Sequence, residues 1–230
     1  VYKRQVVTHL CGGSAGREGA ALQLGGSIGS MFGRLFRMQE RDKHVMILCG
    51  MSAAFSAIFR TPIAAPVFAM EVVCVGAMHY PALVPSTIAS LTASWLAGKL
   101  GIPLAKFSVQ EIPPLQIVPS LKILLLGVLC AGVSVLFCIL LHQTEKQLHS
   151  RVQNPYLRIL AASGMIWILF LLVRNQDYLG IGTDVIGRAL AGDAVWYAFL
   201  MKILFTAVTL GGGFKGGEIV PSFFIGAVFG

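Results

Sequence analysis

Two glycine-rich stretches constrain this chain more than any other feature. Gly12-Gly13-Ser14-Ala15-Gly16-Arg17-Glu18 and, two hundred positions later, Gly212-Gly213-Phe214-Lys215-Gly216-Gly217-Glu218 both fit G-G-x-x-G-x-E. A further glycine follows each glutamate at Gly26 and Gly226, and Thr8 and Thr209 precede the loops at nearly matching distances. Each loop runs into an apolar helical stretch, Ala20 to Phe36 and Pro221 onward, so each glutamate is expected at or beside a helix N-terminus. The first amides of a helix have no internal partner, and the helix dipole makes that end attractive to anions. Glycines let such amides approach a ligand closely. A carboxylate placed there can occupy the anion's own position.

The solvent around these loops follows from composition. The 230 residues are 56% hydrophobic and 12% charged, against about 25% charged in a soluble domain. Such a chain cannot cover a water-facing surface, so an all-helical integral membrane protein is expected, with the lipid bilayer as a partner. The net charge of +8 would suggest nucleic acid in a soluble protein. Here Arg34, Arg37, Arg41 and Lys43, then Lys146, Arg151 and Arg158, fall between apolar segments and read as membrane-flanking residues facing anionic lipid. No nucleic-acid partner is expected. The five cysteines include no C-x-x-C pair and read as small apolar helix residues. No signal peptide is visible. The chain starts at Val1 and stops at Gly230 inside an apolar stretch, so both ends of the domain are expected to be missing.

Periodicity and breakers set the elements. Residues 1–11 read as the end of a helix, and the first glycine loop and its helix reach Met38. Residues 39–43 read as a polar turn. A helix rich in Ala, Ser and Met follows over 44–59, a composition suited to close packing in a membrane. Pro62 starts a helix to Ala77 and Tyr80-Pro81 another to Leu100. Residues 101–114 form a loop with three prolines. A long helix over 119–148 exceeds the bilayer core and should tilt. Further helices cover 155–173 and 195–210, with a short glycine-interrupted segment between. Several segments are shorter than the roughly 20 residues that cross a bilayer, which is tolerated only for helices buried in protein or lining a cavity. Broken helices of this kind, arranged in repeats, are the pattern of transporters with a central ion site. Gly211-x-Gly213-x-x-Gly216 matches a dinucleotide pattern but lacks the preceding strand. No metal-ligand spacing, catalytic triad or cofactor motif is present, and no enzyme activity is expected.

Intramembrane carboxylates are the informative residues, because each is expensive unless paired or functional. Glu18 and Glu218 belong to the loops, where helix capping is the alternative role. Glu71 ends an apolar run and is compatible with an interfacial position. Phe223 and Phe224 read by periodicity as core or lipid contacts.

At these residues the sequence resembles a known family. Gly16-Arg17-Glu18-Gly19 is similar to the G-R-E-G-P motif of the CLC chloride channels and anion/proton exchangers, with Ala20 in place of proline. Gly217-Glu218-Ile219-Val220-Pro221 lies where that family has its second ion-binding motif, G-x-F-x-P. Pro62-Ile63-Ala64 through Glu71 looks like the intervening helix. The resemblance implies an inverted-repeat helical fold with broken and re-entrant helices, residues 1–114 belonging to the first repeat and 115–230 to the second. It implies a homodimer with one anion pathway per subunit, in a bacterial plasma membrane. By the same resemblance Glu18 is the gating and proton-transfer residue, with Glu218 beside it in that role. The anion would be held around Gly16, Arg17, Gly19, Gly217, Ile219, Val220 and Phe224. Many exchangers of the family carry a second, inward-facing glutamate after the position of Glu71, where this chain has Val72. Gly217-Glu218-x-x-Pro221 followed by aromatics looks like the bacterial fluoride/proton antiporter branch, although Val220 stands where that branch often has threonine. The family's serine-bearing loop and late tyrosine lie outside these residues. The implied function is transport of fluoride or chloride, with fluoride/proton antiport favoured. A chloride channel or chloride/proton exchanger is the alternative, and a non-transporting membrane scaffold the rival of another class.

Overall fold

The structure, a computed structural model, describes residues 2–102 and 116–230. Ten α-helices occur among the described residues, with 3-10 turns at Tyr80–Ala82 and Gln176–Tyr178. The chain divides into two compact units, Glu18–Ala105 and a second formed by Val1–Arg17 with Lys106–Gly230.

The Glu18–Ala105 unit holds α2 (Glu18–Leu35), α3 (Glu40–Phe59), α4 (Ala64–Val73) and α5 (Leu83–Lys99). Helix α3 starts earlier than expected and takes in the supposed polar turn, because Glu40 and Asp42 sit in its first turn and favour its positive end. Pro62 does not open α4. It lies in a turn before Ala64, its carbonyl accepts from Ser90 Oγ at 2.7 Å, and α4 ends at Val73. Helices α2 and α3 touch backbone to backbone. A Cβ added to Gly25 would stand 2.2 Å from the Gly50 carbonyl oxygen, and one added to Gly29 would stand 2.2 Å from that of Met46. Helix α3 and its C-cap Arg60 meet α5 through polar side chains one turn apart. Ser52 Oγ donates to Ser86 O at 3.1 Å, Ser56 Oγ to Ser90 O at 2.9 Å and Arg60 Nη1 to Ser94 O at 2.7 Å. Small residues bring membrane helices close, and their hydroxyls find carbonyls across the seam.

The second unit holds α1 (Tyr2–Leu10), α6 (Ile117–Arg151), α7 (Pro155–Val173), α8 (Thr183–Leu190), α9 (Ala198–Gly211) and α10 (Ile219–Phe229). Helix α6 runs 35 residues, about 50 Å. Helix α7 opens with Asn154 as N-cap, its side chain accepting from the Tyr156 amide. Helix α9 is the centre of the unit, with α6, α7 and α10 packed on it. Its core includes Ala162, Tyr178, Ile186, Phe205 and Phe224. Helices α3, α6 and α7 are long and apolar enough to cross a membrane, whereas α4, α9 and α10 are apolar but shorter. The expected proline loop over 101–114 lies outside the described residues apart from Gly101 and Ile102.

Outside these spans, Arg188 of α8 donates to Asp177, which lies between α7 and α8, at 2.6 Å. Burial pulls the Asp177 carboxyl upward, but hydrogen bonds from Arg188 and Asn175 and the Arg188 charge outweigh it and leave it below its ordinary value.

Candidate functional site: paired glycine loops

Helices α1 and α9 end in the same way. Gly12 and Gly213 take left-handed backbone angles, φ 74° and 95°, which disfavour side chains other than glycine's. Around them the same hydrogen bonds recur. Gly13 N donates to Thr8 O at 2.8 Å and Phe214 N to Thr209 O at 3.3 Å, while Gly12 N meets His9 O at 3.1 Å and Gly213 N meets Leu210 O at 3.0 Å. This is the Schellman pattern, which satisfies the last carbonyls of a helix and turns the chain sharply away.

Both loops then extend and pair. Gly16 N donates to Gly217 O at 2.7 Å, and Gly217 N returns to Gly16 O at 3.0 Å, forming an isolated antiparallel bridge. From the bridge the chain passes through Arg17 into α2 and through Glu218 into α10. The structural register is therefore 201 rather than the 200 of the motif. Gly16 matches Gly217, Thr8 matches Thr209, and Glu18 matches Ile219 rather than Glu218. Glu18 is the first residue of α2, whereas Glu218 is the N-cap of α10, in the place that Arg17 occupies in the other loop.

The bridge rests on buried polar groups of its own unit. Gln5 Nε2 donates to Gly16 O at 2.6 Å. Ser14 N donates to Thr209 Oγ1 at 3.1 Å, and Ser14 Oγ lies 3.0 Å from Thr206 Oγ1. Thr209 Oγ1 donates in turn to Phe205 O at 2.7 Å. Ser14, Thr206 and Thr209 are fully buried, so the network fixes the first loop against α9 without help from solvent. Gly216 is held against Ala15, with only 2.2 Å between an added Cβ and that of Ala15.

The remaining expected residues are distributed as follows. Glu18 is buried, Gly19 and Val220 are half-buried, and Arg17 and Glu218 are exposed. The Gly16 and Gly217 amides are committed to each other. Phe224 is fully buried and lies against Gly182, at φ 76°, where an added Cβ would come within 2.8 Å of the ring.

Two buried cations were not anticipated in these roles. Arg158, expected among lipid-facing residues between spans, is instead buried in the first turn of α7, its guanidinium alongside Gly213. The helix over 155–173 is as expected, but its first turn directs Arg158 toward the interior of the unit, beside Gly213, rather than toward lipid. Lys202, in α9, has no solvent exposure. Its Nζ donates to Gly180 O at 2.8 Å and Tyr178 O at 3.3 Å and sits 5.0 Å from the centre of the Phe224 ring. A lone lysine inside the apolar run Ala198–Gly211 was the available signal.

Paired glycine loops that each lead into a helix, within an apolar chain with three helices long enough to cross a membrane, are the pattern of membrane proteins built from broken helices. More particularly, the chain belongs to the voltage gated chloride channel family, whose model matches residues 4–230. It is 32% identical, over 98% of its length and 51% of the relative's, to a chloride/fluoride channel protein of Pseudomonas syringae pv. tomato. It is 26% identical, over 94% of its length and 48% of the relative's, to an H+/Cl− exchange transporter ClcA of Vibrio cholerae. Among solved structures it matches a CLC-type fluoride/proton antiporter with a TM-score of 0.92 and 36% identity, covering 99% of this chain and 57% of that one. A slow cyanobacterial Cl−/H+ antiporter shares the fold, with a TM-score of 0.70. The chain thus spans about half the length of the relatives it matches, and its fold is the all-helical CLC membrane fold.

Proposed function

We propose that the intact protein containing this chain exchanges fluoride for protons across a bacterial plasma membrane, as a homodimer. The observation that carries the reading is the Gly16–Gly217 bridge, which joins two glycine loops that each lead into a helix start. Such ends attract anions, and relatives of bacterial origin are named for fluoride, chloride and proton transport. In this proposal Glu18 is the gate and proton carrier, with Glu218 assisting. The anion-binding residues in this proposal are Arg17, Gly19, Ile219, Val220 and Phe224. Gly16 and Gly217 shape the site through their mutual bridge, since their amides already have partners.

Anion and proton alternate at Glu18. Charged, its side chain takes the place of an anion among helix-start amides. Protonated, it loses that attraction and withdraws, and an anion enters. When the anion leaves, the deprotonated side chain returns, so proton and anion move in opposite directions. Fluoride holds its water tightly and is basic enough to share a proton with a neighbouring carboxylic acid, the chemistry Glu218 would supply. Side-by-side efflux of fluoride and chloride from proteoliposomes, with proton uptake recorded, tests the reading. Fluoride efflux coupled to proton uptake and faster than chloride supports it. Equal rates remove the fluoride preference, uncoupled chloride flux indicates a channel, and no flux of either leaves a scaffold.

A further inference from the structure

Lys202 is a buried cation for which the described residues supply no acid. Lys43 pairs with Glu40 and Arg188 with Asp177, and neither pair involves Lys202. The carboxylate closest in sequence to the carbonyls that Lys202 holds is that of Asp177, and it is taken by Arg188 and Asn175. An ammonium has three N–H groups and no acceptor. Here two reach the Tyr178 and Gly180 carbonyls, and the ring of Phe224 lies near the charge. With those contacts in place the ammonium has little left with which to ligate an anion directly. A positive charge on its Nζ, fully buried, would act over a longer range than one at a surface.

Helix α9 also links Lys202 to the paired loops. Lys202, Thr206 and Thr209 stand at i, i+4 and i+7, which is one face of a helix, and all three are fully buried. Thr206 and Thr209 are the residues that hold Ser14 and, through it, the loop that pairs at Gly16. The residues that anchor the bridge therefore stand along the face that begins with Lys202, Thr209 about 10 Å from it by helical rise.

We propose that Lys202 is an electrostatic positioning residue for anion transport. Its charge, held off the ion by the two carbonyls and the Phe224 ring, raises the affinity of the bridge region for an anion without touching it. This rests on the anion-transport reading above. At a separation on the order of 10 Å and an effective dielectric near 20, one charge would change anion affinity by roughly tenfold.

The test compares the intact unmutated protein with K202M, K202Q and K202R in proteoliposomes, using fluoride as the probe. Size-exclusion profiles in detergent check that each is folded. Loss of charge in K202M and K202Q should raise the fluoride concentration for half-maximal transport about tenfold, with turnover at saturation changed much less. K202R should keep the parental value. A half-maximal concentration unchanged in the neutral variants overturns the proposal. So does equal impairment of K202R and K202M, or recovery of folded protein with K202R alone, since each assigns Lys202 a packing role. Absence of halide flux in the unmutated protein fails the transport reading itself, and this inference with it.

Discussion

Replacing Gly25 by alanine tests how closely α2 must seat on α3. The added methyl would lie 2.2 Å from the Gly50 carbonyl oxygen and 2.7 Å from Ala54 Cβ, where ordinary contact begins at 3.4 Å. The obstacle is helix backbone, so the helices must part by about 1 Å, which forfeits a quarter to a half of each dispersion contact along the seam. Overpacking of this kind costs about 1–3 kcal/mol. Alanine returns up to about 1 kcal/mol through its better helix propensity. The net expectation is destabilisation by about 1–2 kcal/mol, taking the upper part of the overpacking range because backbone cannot rotate aside. Gly132→Ala supplies the matched control, because an added Cβ at Gly132 of α6 meets nothing within 4 Å. It should stabilise by about 0.5–1 kcal/mol. Equilibrium unfolding of the intact protein in mixed micelles, by increasing mole fraction of SDS, measures both. If Gly25→Ala is as stable as Gly132→Ala, backbone contact does not hold α2 in place.

Glu18→Gln should abolish proton uptake driven by a fluoride gradient; coupled uptake at the unmutated rate would exclude Glu18 as the carrier. Ser14→Ala and Thr206→Val should each destabilise by about 1–3 kcal/mol by orphaning a buried hydroxyl, and the double variant should lose less than the sum. Full additivity in the same unfolding assay would show that these hydroxyls do not act as a pair. Asp177→Asn should cost at most about 1 kcal/mol, because the pair is partly exposed. Asp177 is held below its ordinary value in the folded state, so its contribution is present above the unfolded value near 3.9 and fades as pH falls through the folded one. A difference between variant and parent that grows on acidification would contradict this sign.

The sequence carried the helices and the duplication of the glycine loops more readily than the register between them. Identical glutamates invite an alignment at 200, but backbone angles, not side-chain identity, decide equivalence. Gly12 and Gly213 are the left-handed turn residues, and they impose 201. The buried cations escaped for a related reason. A lysine in Ala198–Gly211 interrupts an apolar run too briefly to alter its periodicity, and only the tertiary fold supplies the Tyr178 and Gly180 carbonyls. The tight α2–α3 seam was partly legible in the small residues of α3. Its matching glycines at Gly25, Gly29 and Gly33 lay one turn apart on α2, overshadowed by the loop glycines before them.

The Gly16–Gly217 bridge also sets an order of events during synthesis. The first loop leaves the ribosome 201 residues ahead of its partner, a wait of about 10–40 s at ordinary elongation rates. Closing a loop of that length costs on the order of 5 kcal/mol in chain entropy, more than the roughly 1 kcal/mol each that two backbone hydrogen bonds contribute. The bridge is therefore a late clasp, formed once α9 has been seated and can present Thr206 and Thr209 to Ser14. Until then the buried polar groups of the first loop need water or a temporary partner. Ribosomes stalled before residue 206 should hold that loop accessible to thiol labelling at a cysteine placed at Ser14, and ribosomes stalled after α10 has entered the membrane should not.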